Sequence, residues 1–357
     1  MISFEIYNKI VLGLAGLMIV SIIVTAIYME PHSGELTRMG GYLENEFGWN
    51  LPQERFLTPL FKQAASLDEY DQYYDVVVFG DSFSDDVARG WQNYLVAKTG
   101  WSVITFSMVR IALDELLETQ TYRNSPPKLL IYQSVERYLI GRISQCSNDG
   151  NHSPQEVEID MRSIRSIDAR IVMGRRRQDR SIRHLLDASP VFNYWRKSFA
   201  RKVFNADMTK VHKFRLNTPG LFSNDKDDHL LVFTGDLNLK GTTSNQIETT
   251  QCGLLELQNR IQGTGETAFL TLIFPDKTSV YSDYIDDEEY RGMSILSRIE
   301  ETPGLNIAKL KAEFDKAIEN GVIDLYLPND THCGFYGFKM SADAIFEFIA
   351  QKGWIAK

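Results

Sequence analysis

Two short stretches of the chain carry side chains whose types and spacing could perform covalent catalysis. The first contains Ser82, which follows Gly80 and Asp81 at the end of an apolar run, residues 76–79. The run predicts a buried strand, and glycine permits a sharp turn after it. A serine hydroxyl beside unpaired backbone N–H groups suits a nucleophile whose attack creates an oxyanion. The same residues are also favoured helix caps without any chemistry, and both interpretations are open at this point.

The second stretch is Asp330-Thr331-His332, close to the end of the chain. A serine nucleophile needs an imidazole that takes its proton and a carboxylate that orients the imidazole. His332 and Asp330 are the residue types for those two roles. A single histidine among the six of this chain would more often be structural. Together with the serine turn, however, the late Asp-x-His sequence predicts a Ser–His–Asp triad.

These motifs resemble those of the SGNH (GDSL-type) hydrolase superfamily, and most closely its AlgX/AlgJ-like polysaccharide O-acetyltransferases. Three further stretches resemble that subfamily: residues 79–84 its serine motif, residues 135–139 its Glu-Arg segment, and residues 273–281 its PxKxxVY stretch. The resemblance extends over residues 75–348. It implies that Ser82 is the nucleophile, His332 the general base and then acid, and Asp330 its orienting carboxylate.

The chain departs from the family pattern in three respects. The serine precedes Asp-x-His, whereas alginate enzymes of the family have the opposite order. The glycine and asparagine that many members use as oxyanion donors are not evident, and Cys333 replaces the usual aromatic residue. We expect the backbone N–H of Ser82 as one oxyanion donor, with Ser107 or Gln133 as helpers. The wider set of candidate oxyanion or substrate-binding residues is Asp81, Ser107, Arg110, Gln133, Glu136, Arg137, Lys277 and Tyr281. The alternative interpretation of Lys277 and Tyr281 is that they contribute only surface charge and packing at the rim of the site.

The elements between the two motifs predict an α/β fold. Apolar strands are expected at residues 101–106, 128–132, 229–233, 268–274 and 322–327. Helices are expected from Ser82 to Ala97 and at residues 113–119, 254–261, 309–320 and 341–351. Strands that alternate with helices predict a mainly parallel sheet in a three-layer sandwich of the SGNH or flavodoxin-like type. Active sites of such sheets lie at the carboxyl ends of the strands, where Ser82 falls.

The chain is predicted to have three parts. Residues 1–29 form a cytoplasmic tip and a transmembrane anchor, because residues 10–29 are almost uncharged and can span a bilayer as a helix. A cleaved signal peptide is the alternative, since residues 24–26 resemble a cleavage site. Residues 30–70 are a connector with a short amphipathic helix near residues 54–65. Residues 71–357 form the catalytic domain, with a basic helical insertion at about residues 142–228.

The insertion concentrates positive charge in an otherwise acidic chain of net charge −9. Isoleucines at helical spacing, Ile164, Ile167 and Ile171, predict an amphipathic helix there. A solvated surface is one interpretation; contact with lipid headgroups, a partner or an anionic polymer is the other. The arginines concerned are Arg162, Arg165, Arg170, Arg175, Arg176, Arg177, Arg180, Arg183, Arg196 and Arg201.

Composition excludes several other classes of protein. A net charge of −9 argues against nucleic acid as the main partner. Three cysteines, Cys146, Cys252 and Cys333, are too few for a disulfide scaffold, although export would permit one bond. No Cys/His spacing fits the usual zinc patterns, so neither a metal nor a cofactor is expected.

The resemblance and the apolar N-terminus together indicate an enzyme of the bacterial inner membrane, single-pass, with its catalytic domain on the periplasmic side. It would move acetyl through a Ser82 acyl-enzyme to hydroxyls of an exopolysaccharide or envelope glycan. A membrane-bound O-acyltransferase would supply the acetyl group. An esterase that uses the same triad with water as acceptor is one alternative. A non-catalytic glycan-binding or scaffold subunit is the other.

Overall fold

The computed structural model of the chain describes residues 3–147, 157, 159–176, 188–204 and 209–355. The described part contains a central sheet, two small sheets and helices that cover the central sheet. The strands are β1 Gln53–Phe56, β2 Lys62–Ala64, β3 Val76–Gly80, β4 Val103–Ser107, β5 Leu129–Val135, β6 Ile171–Gly174, β7 Val211–Arg215, β8 His229–Phe233, β9 Ala268–Phe274 and β10 Ile307–Ala308.

The central sheet has six strands in the order β10-β9-β5-β3-β4-β2, and every neighbouring pair is parallel. β1 and β6 form one antiparallel pair, and β7 and β8 form another. The central strands β3, β5 and β9 are buried along their whole length, as expected of a parallel sheet covered on both faces. The prediction of an α/β fold with a mainly parallel central sheet is confirmed.

Alternate residues of β3 point into two separate cores. Val76 and Val78 pack with Trp91 and Ile345 on one face, whereas Val77 packs with the other core. Helices therefore lie on both sides of the sheet, in three layers. The helices are Phe4–Tyr28, Glu35–Gly40, Glu44–Phe47, Trp91–Thr99, Leu113–Glu118, Gln120–Asn124, Glu136–Arg142, Ser189–Phe204, Ser244–Gln262, Lys277–Tyr281, Leu296–Glu300, Lys311–Glu319 and Phe335–Gln351.

The prediction that a long helix begins at Ser82 is wrong. Ser82–Ser84 is a single 3-10 turn, and the helix begins only at Trp91. Between them, the carboxylate of Asp86 accepts the N–H groups of Ala88 and Arg89. Aspartate readily satisfies nearby backbone N–H groups in this way and so favours a turn over a helix. Ser82 therefore does not lie at the end of a long helix with its dipole. The hydrogen-bond donors near the serine must come from the turn itself.

Two other predicted elements are also wrong, and a third has an unexpected pairing. The helix expected near residues 54–65 is replaced by β1 and β2, because the residue before Pro59 favours extended backbone. The last strand expected at residues 322–327 does not form, since Asp324 has a positive φ of 56° that interrupts an extended run. β8 exists as predicted but pairs antiparallel with β7, outside the central sheet.

The basic insertion is not helical where the isoleucines suggested. Residues 162–170 are irregular, and the backbone N–H groups of Arg165 and Ile167 bond to the carbonyls of Thr99 and Ala97 at 2.9 and 2.8 Å. These bonds to a distant helix end replace the local bonds that a helix would need. The strand β6 follows, and a helix begins at Ser189. Arg177, Arg180 and Arg183 lie outside the described residues.

One helix of the described chain, Phe4–Tyr28, is long and apolar enough to span a membrane. It has 25 residues, its 18-residue apolar stretch has a mean hydropathy of 2.8, and 6% of that stretch is buried. Whether it is retained or cleaved stays a prediction, as does the division into three parts. The predicted connector nevertheless supplies β2 to the central sheet, so residues 30–70 are integrated with the fold.

A disulfide joins Cys146 and Cys252, which are separated by 106 residues. It ties the loop after helix Glu136–Arg142 to helix Ser244–Gln262. The third cysteine, Cys333, is buried with a free thiol.

Candidate active site

Ser82 lies at the carboxyl edge of the central sheet, on the tight turn that follows β3. Its side chain is exposed, whereas its neighbours Asp81, Phe83 and Ser84 are buried. A Cβ atom on Gly80 would lie 2.6 Å from both the Gln133 Oε1 and the Ser84 Oγ atoms, so only glycine fits. The amide of Ser82 donates none of the hydrogen bonds found among the described residues. It is therefore available to an oxyanion that forms at Ser82.

The turn is held rigid by the carboxylate of Asp81. Its Oδ1 accepts the Phe83 N–H at 3.1 Å and the Gln133 amide at 2.9 Å. Its Oδ2 accepts the Val135 N–H at 2.8 Å and Arg142 Nη1 at 2.6 Å. These four donors satisfy both oxygens of the buried carboxylate and fix its orientation. Asp81 thus anchors the serine turn, and its role as a candidate oxyanion or substrate-binding residue stays a prediction.

The three residues predicted as a triad meet in hydrogen-bonding geometry. Ser82 Oγ lies 2.9 Å from His332 Nε2, and His332 Nδ1 lies 2.7 Å from Asp330 Oδ1. The ionised carboxylate accepts only, so Nδ1 carries the proton and Nε2 accepts from the serine hydroxyl. The ring of Phe83 packs against the imidazole with centroids 4.7 Å apart. This arrangement can take a proton from Ser82 as its oxygen attacks an acyl carbon.

Electrostatics within the triad favour a charged pair. Burial alone would raise the pKa of Asp330, but the hydrogen bond and charge of His332, followed by the Glu35 N–H, lower it below 3.8. Burial alone would lower the pKa of His332, but the hydrogen bond and charge of Asp330, followed by the charge of Glu35, raise it above 6.5. The site therefore stabilises the imidazolium that forms when Ser82 loses its proton.

The two expected oxyanion helpers are buried near the serine turn. Gln133 is fully buried; its Oε1 accepts the Asp81 N–H at 2.9 Å and the Ser84 hydroxyl at 2.7 Å. Ser107 is also buried, and its hydroxyl bonds to the Asp85 carboxylate. Both side chains bond to other parts of the chain, and their role as oxyanion helpers stays a prediction. Arg110 alone among the wider candidates has an exposed side chain, and its charge acts on Asp85 beside His332.

Glu136 and Arg137 are held by other parts of the chain, and their contact with substrate stays a prediction. The Glu136 carboxylate accepts the N–H groups of Asp276 and Ile295 at 3.0 and 2.8 Å. Arg137 pairs with Asp236 and Asp276.

Lys277 and Tyr281 are also buried, so the alternative of surface charge and rim packing is wrong, whereas their contact with ligand stays a prediction. Lys277 Nζ donates to the backbone carbonyls of Leu327, Pro328 and Asp330 at 2.8, 3.0 and 3.2 Å. The hydroxyl of Tyr281 accepts the Tyr326 N–H at 3.4 Å. Both residues hold the loop that carries Asp330 and His332, because their polar atoms meet its backbone.

Sequence reasoning missed two functional positions. Arg142 Nη1 bonds both Asp81 and Ser134, and the Glu35 N–H bonds Asp330 Oδ2 at 3.1 Å. Neither lies in a motif, and Glu35 is almost 300 residues away from its partner along the chain. No pattern in the sequence could have paired them.

Two cavities lie near this edge of the sheet. The larger, about 600 Å³, is lined by Phe79, Met108, Tyr132 and Arg142, and contains neither Ser82 nor His332. The smaller, about 280 Å³, is lined by Asp330 and Asn329 together with three arginines. The smaller cavity thus adjoins the triad despite its size, and it is the nearer candidate for a ligand-binding site.

Two groups of side chains in the described chain come close enough to ligate an ion: Glu35 with Asp330 and His332, and Cys146 with Cys252 and Glu256. Both ring nitrogens of His332 are engaged by Ser82 and Asp330. The two cysteines are joined to each other. The donor atoms therefore fit hydrogen bonding and a disulfide rather than coordination of a metal.

No protein-family model, curated protein or solved structure matches this chain.

Proposed function

We propose that this chain is a membrane-anchored SGNH-type enzyme that transfers acetyl through a serine-bound acyl-enzyme to hydroxyls of an envelope polysaccharide. The observation that carries the proposal is the chain of two short contacts from Ser82 through His332 to Asp330, 2.9 and 2.7 Å long. The motif resemblance supports the acetyl group and the polysaccharide acceptor. The apolar helix Phe4–Tyr28 supports a site of action beside a membrane.

The chemistry follows from the geometry of the triad. Ser82 Oγ bonds to the acetyl carbonyl carbon of the donor ester while its proton passes to His332 Nε2. The carbonyl oxygen becomes an oxyanion that the free N–H of Ser82 can stabilise. As the donor's C–O bond breaks, His332 returns the proton to the departing oxygen. This leaves the acetyl group esterified to Ser82.

The second half of the reaction reverses these roles. His332 Nε2 takes the proton of an acceptor hydroxyl, whose oxygen attacks the acetyl carbon. The bond to Ser82 breaks, and the proton returns to Ser82 Oγ. Because Ser82 is exposed, water can also reach the acyl-enzyme and convert transfer into hydrolysis. The partition between the two products therefore depends on the acceptor.

The proposal is tested with the full chain in nanodiscs and an activated ester such as p-nitrophenyl acetate. We expect Ser82→Ala and His332→Ala to lower turnover by about 10³-fold or more, as loss of a triad member does. Asp330→Asn should lower it by a similar order, because the imidazole loses its orienting anion. Ser66→Ala, an exposed serine away from the site, is the matched control and should turn over normally. Turnover that survives Ser82→Ala would refute the acyl-enzyme.

A second readout separates transfer from hydrolysis. Oligosaccharides from the producing organism's envelope are added with the acetyl donor, and acetylated sugar and free acetate are measured by mass spectrometry. Acetylated sugar that depends on Ser82 supports the transferase. Free acetate alone supports the esterase, and neither product supports an inert glycan-binding or scaffold subunit.

A further inference from the structure

The segment that follows the membrane helix contacts the catalytic aspartate directly. Asp330 uses Oδ1 for His332, and its Oδ2 accepts the backbone N–H of Glu35 at 3.1 Å. The next N–H, that of Leu36, bonds the Asn329 carbonyl at 2.9 Å. The Glu35 carboxylate in turn accepts the hydroxyl of Thr331 at 2.9 Å. Glu35 and Leu36 therefore bond to three consecutive residues, 329–331, of the catalytic loop, which is the loop that carries Asp330 and His332.

The packing between the two segments leaves no spare room. A Cβ atom on Gly34 would lie 2.2 Å from the Asn329 carbonyl oxygen and 2.5 Å from its side-chain amide. Gly34 itself has φ −103° and ψ 151°, a conformation that any residue can adopt. A glycine is therefore required at position 34 because of the close contact with the catalytic loop, and not because of its own backbone conformation.

A buried polar network connects this contact to the end of the membrane helix. The carboxylate of Glu44 accepts from Ser33, Thr37 and the side-chain amide of Asn329. Arg176 pairs with Glu44 and, at 3.0 Å, with Glu30. Glu30 follows helix Phe4–Tyr28 by two residues. Every charge in the network has a partner of opposite sign, as buried charges require.

We propose that residues 30–47 form part of the active site, with Glu35 as a positioning residue for Asp330 and His332. This segment of about a dozen and a half residues then connects the membrane helix to the triad. The triad is complete only when this segment is docked on the Asn329–Thr331 loop. The inference rests on the proposed function, because it assigns a role toward the same triad.

The charge of Glu35 provides a specific signature of this role. The charged groups that face His332 are Asp330 and Glu35, which raise its pKa, and Arg137, which lowers it, with Asp85 also in range. Glu35→Gln keeps the backbone N–H and an acceptor for Thr331 but removes the charge. The pKa of His332 should fall, so the acid limb of the kcat/KM profile should move to lower pH.

The experiment measures p-nitrophenyl acetate turnover by the full chain in nanodiscs. Gly34→Ala should lower kcat/KM by about 10²-fold, the order expected when a catalytic group moves by about 1 Å. Gly241→Ala, at a glycine with open space around it, is the matched control. Glu248→Gln, at an exposed position on helix Ser244–Gln262 and outside this segment, is the charge control for Glu35→Gln and should leave the pH profile unchanged.

The outcomes separate the two proposals. If Ser82→Ala abolishes turnover while Gly34→Ala and Glu35→Gln match the native chain at every pH, the segment has no role in the site and this inference fails. If Ser82→Ala has no effect, the proposed function itself fails. Should Gly34→Ala not fold, the Glu35→Gln profile decides: an acid limb that stays in place or moves to higher pH overturns the inference.

A different observation concerns helix Ser189–Phe204, which packs beside the same membrane helix. Val191 is buried with Ala26 and Met29, and the opposite face exposes Phe192, Phe199 and Val203 by 47, 60 and 55%. These three recur at helical spacing on one stripe. The helix has four basic residues and no acidic one, within a chain of net charge −9. Arg196 and Lys202 are exposed beside this stripe, whereas Lys197 and Arg201 donate to backbone carbonyls of the protein itself. Its outer face is thus apolar and basic directly beside a candidate membrane span.

We infer that this outer face lies on the bilayer surface, with the phenyl rings among the acyl chains and the basic side chains on anionic headgroups. The occupant is lipid, because the face is continuous with the end of the membrane helix. A nitroxide at Phe199→Cys in nanodiscs that contain phosphatidylglycerol should be accessible to oxygen and shielded from a water-soluble nickel reagent. A nitroxide at Lys339→Cys, on an exposed position, is the control. A water-like Phe199 label would overturn the inference, as would shielding that requires a protein partner.

Discussion

Replacement of Lys277 with methionine tests how the catalytic loop is held. The lysine is 1% exposed, and its ammonium is the donor to the backbone carbonyls of Leu327, Pro328 and Asp330. Methionine fills a similar volume but donates nothing. A buried acceptor left without its donor costs about 1–3 kcal/mol. The loss of three such bonds costs stability. Part of this cost is offset, because the substitution also removes an ammonium whose burial is unfavourable.

We therefore expect Lys277→Met to lower the free energy of unfolding by about 3 kcal/mol at neutral pH, from about 1 kcal/mol for each bond. For a domain of this size the melting temperature should fall by roughly 6–12 °C. The loop that carries His332 would also lose its anchor, so kcat/KM should fall by about 10²-fold. Circular dichroism of the full chain and p-nitrophenyl acetate turnover measure the two effects.

The pH dependence of this effect has a definite sign. Burial lowers the pKa of Lys277 to about 7, against the charges of Asp330, Asp236 and Asp324. Between about pH 7 and the ordinary value of 10.5, the unfolded chain holds a proton that the folded chain has lost. Stability of the native chain therefore rises with pH in this window relative to Lys277→Met. The difference in free energy of unfolding between the native chain and Lys277→Met should therefore increase by about 2–3 kcal/mol from pH 7 to pH 9.

Lys339→Met is the matched control, because Lys339 is exposed on helix Phe335–Gln351. It should change stability by less than about 0.5 kcal/mol. A melting temperature of Lys277→Met within about 1 °C of the native value, with normal turnover, would refute the view that this ammonium holds the loop. A gap that narrows from pH 7 to pH 9 would refute the argument from its pKa.

Other predictions address the rest of the site and the fold. Turnover should fall as the pH drops through a value above 6.5, because the pKa of His332 is raised and its protonated form cannot act as base; a midpoint below 6.5 in the kcat/KM profile would contradict this. Removal of the Cys146–Cys252 bond, by Cys252→Ser or a reductant, should lower the free energy of unfolding by about 2–5 kcal/mol, measured as the melting temperature; no change would argue against the bond. Arg142→Met removes one donor of the Asp81 carboxylate and should reduce kcat with little change in KM, whereas a rise in KM alone would indicate substrate contact. Protease added outside spheroplasts should digest the main domain and leave the N-terminal helix protected; full protection of the domain would reverse the predicted topology.

The local elements of this fold were largely readable from the sequence, because they depend on nearby residues. Strands β3, β4, β5 and β9 were predicted within a few residues, since an apolar run bounded by turn residues has few other solutions. The wrong elements share a different cause. The isoleucines of residues 164–171 and the apolar run 322–327 meet distant backbone partners that override their local pattern.

The candidate site shows the same difference between features that depend on nearby residues and features that depend on distant ones. The motifs around Ser82 and His332 are local, and their residue types alone indicated which atoms should meet. Gln133, Glu136 and Lys277 were expected to face a substrate because they follow strand ends. In the structure they are buried, and their side chains satisfy the backbone of turns that come from elsewhere in the chain.

What the sequence alone determined is therefore the residue types of the candidate site: a serine, a histidine and an aspartate, each in a local setting that is consistent with the proposed reaction. What the tertiary structure decided is how that site is supported. Glu35 meets Asp330 across almost 300 residues of chain, and Lys277 meets the same loop across about 50. Contacts over such separations leave no periodicity in the sequence, because each depends on the packing of the whole sheet and its helices.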